Sequence, residues 1–287
     1  MEELDAQQIN RRFEVTAARR GFNQGWYALV GFGLVLLLLQ GWGEGGSGRP
    51  PILGILLSWL VVFGLLGAGW LRAGRQRQAR KTITLAWERV QLEQWAEAEE
   101  ALNTAMRRPI QSDADRGQAF MVMATLAERR GRFDQAAYIY ERLLLGRIGD
   151  GYQLQQTQLA IANAKLRNEE LTDAVTLLDH LEKLSMPRAL GAVYALIRLY
   201  QQVFMGHNED AVAELSERRS LFRRFLSTRA GYGYGLLAAA LHRLGRHDEA
   251  AQFWLDATTL IPAAKLVAEY GTLLVPCEGY PSMEHPG

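Results

Sequence analysis

The sequence predicts an all-α protein: a two-helix transmembrane hairpin followed by an α-solenoid of about five helix pairs and a capping helix. Three observations carry this expectation. Residues 21–43 and 50–71 contain no charged side chain. The phrase Gly-Arg-x-Asp-x-Ala-Ala occurs twice, as GRFDQAA from 131 and GRHDEAA from 245, with 114 residues between the two starts. Similar phrases put an alanine in the same place at 98, 136, 174, 211 and 250, at spacings of 38, 38, 37 and 39. A period between about 20 and 50 residues marks stacked supersecondary units.

The totals narrow the function. The 287 residues hold 32 Lys/Arg against 31 Asp/Glu, so no global charge draws the chain to nucleic acid. Residues 1–81 carry ten basic and five acidic side chains, which leaves 22 basic and 26 acidic in 82–287. A net negative C-terminal part has the wrong sign for tracking phosphates. Cys277 is the one cysteine. It excludes an internal disulfide and a four-cysteine zinc site, and it suits a reducing compartment.

Taken in chain order, 1–24 is expected to be a cytoplasmic segment. Its acids Glu2, Glu3, Asp5 and Glu14 fit a signal peptide poorly. A hairpin is expected over 25–72, with helices at about 25–43 and 51–71, because about 20 apolar residues cross a bilayer core. Trp26, Tyr27, Trp42 and Trp70 stand at the ends, where an aromatic belt puts them. The linker GEGGSGRPP, 43–51, is short, and Gly64 and Ala68 would let the two backbones approach. Arg11, Arg12, Arg19 and Arg20 precede the hairpin and Arg49 alone lies at its tip. Arg72, Arg75, Arg77, Arg80 and Lys81 follow it. Positive charge stays inside, so an integral two-helix protein of a bacterial inner membrane is expected, with both termini cytoplasmic. The basic segment 73–81, together with Arg72, would meet lipid headgroups.

The repeat domain is expected over 82–275. Three residues before the key alanine stand Trp95, Phe133, Leu171 and His247, and four after it stand Leu102, Tyr140, Leu178, Leu215 and Trp254. These are helical spacings, so each phrase is an amphipathic helix. A second helix precedes it, with Ala124, Ala162 and Ala238 each twelve residues before the key alanine. Small residues at a fixed offset let paired helices pack closely. Gly131 and Gly245 cap the first helix of their pairs, and Asp134 and Asp248 suit the N-terminal dipole of the second. The unit at Ala211 is weaker, with Arg198 where an apolar residue belongs. AAKLVAEYGTLL after Pro262 reads as the capping helix, and 276–287 as a loose tail.

Through Ala238, Gly245, Ala250, Trp254, Ala257 and Pro262, the unit at 231–262 resembles the tetratricopeptide repeat family. The resemblance covers about 180 residues, and its period exceeds the family's value of about 34. It implies repeat packing at Ala98, Ala136, Ala174, Ala211, Ala250 and Trp254. It also implies a partner-binding groove lined by the first helix of each pair. The groove residues would be Gln118, Met121, Thr125 and Glu128, then Gln156, Leu159, Asn163 and Leu166, then Tyr232, Ala239 and His242. Asn163 stands where clamp-type members hold a terminal carboxylate, but Met121 and Leu159 replace the Lys that such a clamp needs.

Chemistry is hard to find. His242, His247, Asp248 and Glu249 are the densest ligand-like group, yet His247 occupies a packing position. GYGYG at 231–235 lacks the Lys-Ser/Thr of a phosphate loop. Cys277 has no base near it in sequence. No catalysis, cofactor or metal is expected. The expected function is a membrane-anchored adaptor that binds protein partners, in assembly of a membrane complex. The alternative is a permanent subunit of a larger membrane assembly.

Burying a charge where two helices cross costs several kcal/mol. Ala136→Glu or Ala174→Glu should therefore lower the melting temperature sharply, and Ser282→Glu should leave it unchanged. If Ala174→Glu melts with the parent chain, the repeat register is wrong.

Overall fold

The computed structural model describes residues 6–17, 52–110, 112–146 and 151–283. Among these residues the chain is all-helical, apart from one isolated bridge between Ala17 and Ile110. It divides into two compact units, 1–149 and 150–287.

Unit 1 holds α1 (Ala6–Thr16), α2 (Ile52–Gln91), α3 (Trp95–Met106), α4 (Asp113–Arg129) and α5 (Phe133–Leu145). The C-terminal part of α2 buries Ile83, Ala86 and Val90, and α2 packs on α3 and α4. Ser112 caps α4 by accepting the Asp115 N–H. The pair α4–α5 closes around Phe120, Met123, Ala124, Ala136 and Tyr140, all buried.

Unit 2 holds α6 (Gly151–Arg167), α7 (Leu171–Glu182), α8 (Arg188–Phe204), α9 (Asn208–Ala213) and α10 (Leu215–Phe225). It continues with α11 (Ala230–Arg243), α12 (His247–Leu260) and α13 (Ala263–Tyr270). α6 pairs with α7, α8 with α9 and α10, and α11 with α12. The first helices of successive pairs also pack on one another, α6 on α8 and α8 on α11. Pro187 and Pro262 stand just before α8 and α13, where a fixed φ starts a helix.

One turn joins the two helices of every pair. Glu93, Gly131, Glu169, Gly206 and Gly245 all have positive φ, between 58° and 81°. Each lies five residues before its alanine, so the turns recur at the alanine spacing. The next residue's N–H reaches back five residues: Gln94 to Arg89, Arg132 to Ala127, Glu170 to Lys165, His207 to Gln202 and Arg246 to Leu241, all at 2.8–3.0 Å. This is the bond that closes a left-handed helix C-terminus and satisfies an orphan carbonyl. Its carbonyl then accepts the N–H of the key alanine, at 2.9–3.2 Å, and opens the second helix. Ala98, Ala136, Ala174, Ala211 and Ala250 are each 0% exposed, as is Trp254.

The weak fourth pair keeps this turn and loses the helix after it. α9 ends after six residues, the chain bends at Glu214 (φ −112°, ψ 40°), and α10 restarts in a new direction. Arg198, on α8, is accommodated by an ion pair with Asp179 of α7 (3.0 Å).

Several expectations need correction. The first expected crossing, 25–43, lies outside the described residues. The second, 51–71, falls at the start of α2, and that helix continues without a break to Gln91. The basic stretch 73–81 is therefore part of a helix and not a separate segment. A crossing needs about 20 consecutive apolar residues. The helix that contains the run carries exposed Arg75, Arg77, Arg80 and Lys81 in its continuation. Among the described residues no helix is long and apolar enough to cross a membrane. The expected placement as an integral two-helix membrane protein with cytoplasmic termini is overturned.

At the two ends the chain is more ordered than expected. Residues 6–16, expected as a plain cytoplasmic flank, form α1, which docks on α3 and α5. From 276 the chain was expected to be loose. Within it Cys277 is 0% exposed and half-buried Tyr280 meets His242 and His247, while the other described residues to Met283 are exposed.

The turns give a direct test. Left-handed backbone costs a residue with a Cβ about 1–2 kcal/mol, and glycine's extra chain entropy offsets about 0.5–1. Glu169→Gly should therefore stabilise by up to about 1 kcal/mol in denaturant unfolding. Gly245→Ala should destabilise by about 1 kcal/mol. A Cβ at Gly245 would meet no atom within 4 Å, so this cost is conformational alone. A loss of stability in Glu169→Gly would contradict the assignment of the turn.

Candidate protein-binding surfaces

The two units present different surfaces. In unit 1, Gln118, Met121, Thr125 and Glu128 run along one stripe of α4, each half-buried. Thr125 donates to the Met121 carbonyl (2.9 Å). Buried Tyr140 of α5 hydrogen-bonds both Thr125 and Glu128. Burial pushes the Tyr140 hydroxyl well above its ordinary range, and the Glu128 carboxylate pushes it further. Thr125 and Glu128 are thus engaged from within the pair.

A second stripe of α4, Arg116, Phe120 and Met123, carries α1. The apolar face of α1 is Ile9, Phe13 and Thr16, all buried at helical spacing. Phe13 stacks on Phe120 with ring centroids 3.6 Å apart and planes 2° from parallel. The guanidinium carbons of Arg116 and Arg142 lie 5.9 and 5.7 Å from the Phe13 centroid, in cation–π range. Arg116 donates to the Phe13 carbonyl (2.8 Å), the Ile110 N–H donates to the Thr16 carbonyl (3.1 Å), and Arg12 donates to Asn103 (3.2 Å). The sequence signal for this helix is the Ile9–Phe13–Thr16 spacing. The arginines beside it suggested a topology flank instead.

In unit 2 the expected groove residues divide. Gln156, Asn163 and Tyr232 are half-buried. Leu159 and Leu166 are 1% exposed and Ala239 is 2% exposed, so these three belong to the core and are corrected as groove residues. The physical reason is helical phase. Leu159, Ala162 and Leu166 make the stripe that packs inward, and Gln156 and Asn163 flank it.

His242 and His247 meet Tyr280. Their Nδ1 atoms lie 2.8 and 2.9 Å from the same hydroxyl, and their rings are 5.1 Å apart. His247, expected to be packed between helices, is exposed. The pair holds the C-terminal segment down. Among the described residues no three His, Cys, Asp or Glu side chains gather as a metal-holding group.

Sequence reasoning missed one cluster. Arg167, at the end of α6, lies over the rings of Tyr200 (5.7 Å) and Tyr270 (5.2 Å) and pairs with Glu269 (2.9 Å). Tyr200 and Tyr270 are 5.2 Å apart, and Tyr232 meets Tyr270 edge-on at 5.8 Å. Burial raises the Tyr270 and Tyr200 hydroxyls, with Arg167 acting in the opposite direction. Arg167 and Glu269 are 102 residues apart, and only the fold brings them together. Tyr232, one edge of this cluster, was expected only as a groove-lining residue.

GYGYG at 231–235 opens α11, and its glycines serve packing. A Cβ at Gly233 would lie 2.5 Å from the Phe222 ring, and one at Gly231 would lie 2.9 Å from Ile261. α10 and the end of α12 approach the α11 backbone there.

The chain matches no protein-family model, no curated protein and no solved structure.

Cys277 gives a pH-dependent readout. Burial pushes its thiol from an ordinary 9.0 up to about 11, with Arg243 opposing. The native thiol should therefore alkylate at least about 100-fold more slowly than the denatured chain at pH 8, since the thiolate is the nucleophile. Because the folded pKa is raised, the stability it contributes is full below about 9 and is lost as pH rises to about 11. Equal alkylation rates in native and denatured chain would contradict the burial.

Proposed function

We propose that the chain is a non-catalytic protein-binding scaffold built from about five tetratricopeptide-like helix pairs and a capping helix, α13. The observation that carries this reading is the turn repeated five times, each with a wholly buried alanine five residues on. Units of this kind bury one side against their neighbours and leave another for partners. In unit 2, half-buried Gln156 and Asn163 of α6 and Tyr232 of α11 support a partner that is itself a polypeptide. An amide both donates and accepts, so it pairs with a peptide backbone, and a tyrosine adds apolar area with a polar tip.

The test is affinity capture under mild cross-linking from cells expressing the tagged full-length chain. A Gln156→Ala/Asn163→Ala variant with an unchanged helical spectrum and melting temperature should lose the captured protein. Thr172→Lys, on the exposed face of α7, should keep it. If the folded double variant captures everything the parent does, this face of unit 2 is not the binding surface.

A further inference from the structure

Unit 1 already holds a helix that belongs to none of its helix pairs. α1 is 11 residues long and is separated from α2 by residues 17–51. Helices this short are marginal alone, so α1 owes its order to its seat. The match is specific. Ile9, Phe13 and Thr16 recur at intervals of four and three, and Arg116, Phe120 and Met123 on α4 recur at the same intervals. Phe13 is the anchor, stacked on Phe120 with the guanidinium groups of Arg116 and Arg142 in cation–π range.

The seat also reads the end of the helix. The last four carbonyls of a helix have no partner inside it. Two of those in α1 accept from outside: Phe13 O from Arg116 (2.8 Å), beside the Thr16 hydroxyl of its own helix (3.3 Å), and Thr16 O from the Ile110 N–H (3.1 Å). A cation at a helix C-terminus also suits the dipole. A helix that continued past Thr16 would spend that carbonyl on its own next turn, so the bond from the Ile110 N–H favours a helix that ends there.

We propose that unit 1 is a receptor for the C-terminal end of an amphipathic helix, and that α1 is its in-chain ligand. A partner helix with an Ile-x-x-x-Phe-x-x-Thr stripe and free terminal carbonyls takes the same seat by displacing α1. This rests on the protein-binding reading and adds the chemistry of the ligand and its control. A tethered helix competes at an effective concentration on the order of millimolar, so α1 holds off a weak external helix until it is released.

The probe is a fluorescent peptide of residues 5–17, DAQQINRRFEVTA, titrated with the full-length chain and followed by anisotropy. The parent chain should bind it weakly. A chain carrying Phe13→Ala, which frees the seat, should bind it at least about tenfold more tightly. Ile9→Ala serves as a second release variant if Phe13→Ala lowers the helical signal beyond the loss of α1. The peptide with its own Phe13→Ala should lose binding, and Arg116→Ala in the released chain should weaken binding of the unaltered peptide. Equal binding by parent and released chains would overturn the proposal, and so would no binding by a released chain that remains folded. Either failure leaves the capture test on unit 2 untouched, because that test changes α6 alone.

Discussion

Everything regular in the described residues depends on a residue in left-handed conformation placed five positions before a wholly buried alanine. The turn does three things at once. It ends one helix by closing its last carbonyls, it reverses the chain in three residues, and it starts the next helix on the carbonyl that follows. The alanine then sets how near the returning helix comes. Where Gly131, Gly206 and Gly245 occupy the turn, the backbone adopts it without steric cost. Where Glu93 and Glu169 occupy it, the same geometry holds against strain, so packing of the pair dominates local preference.

The fourth pair shows how far this constraint reaches. Its sequence is the least regular, yet Gly206 and Ala211 keep the turn and the contact. Only beyond them does the second helix bend, at Glu214. The redirected α10 carries Phe222 onto α11, where Gly233 leaves space for the ring. An irregular repeat is thus absorbed by glycines in its neighbour. Read in sequence alone, those same glycines showed only that they lack the Lys-Ser/Thr of a phosphate loop.

What was legible was periodic. The alanine register, the helix pairs and the extra helix after Pro262 follow from spacings within one repeat. Three kinds of feature were not legible. Leu159 and Leu166 belong to the inward stripe of α6, next to Gln156 and Asn163 on its flank, and local spacing does not separate the two. The Arg167–Tyr200–Tyr270–Glu269 cluster and the docking of Phe13 on Phe120 join residues about a hundred positions apart, and no local pattern encodes such a meeting. The apolar run before Leu71 was judged by composition, whereas the helix that contains it extends through a basic stretch into the core of unit 1. On α4 the stripe that holds α1 is Arg116–Phe120–Met123, beside the Gln118–Met121–Thr125–Glu128 stripe expected as a groove.

The central claim is that one closed turn recurs five times. Amide hydrogen exchange on the native chain measures it residue by residue, because an N–H bonded across the turn exchanges only when the pair opens. The amides of Gln94, Arg132, Glu170, His207 and Arg246 should be protected to the level of the helices they join. Exchange at the rate of open loops at these five positions, with the neighbouring helices still protected, would contradict the account.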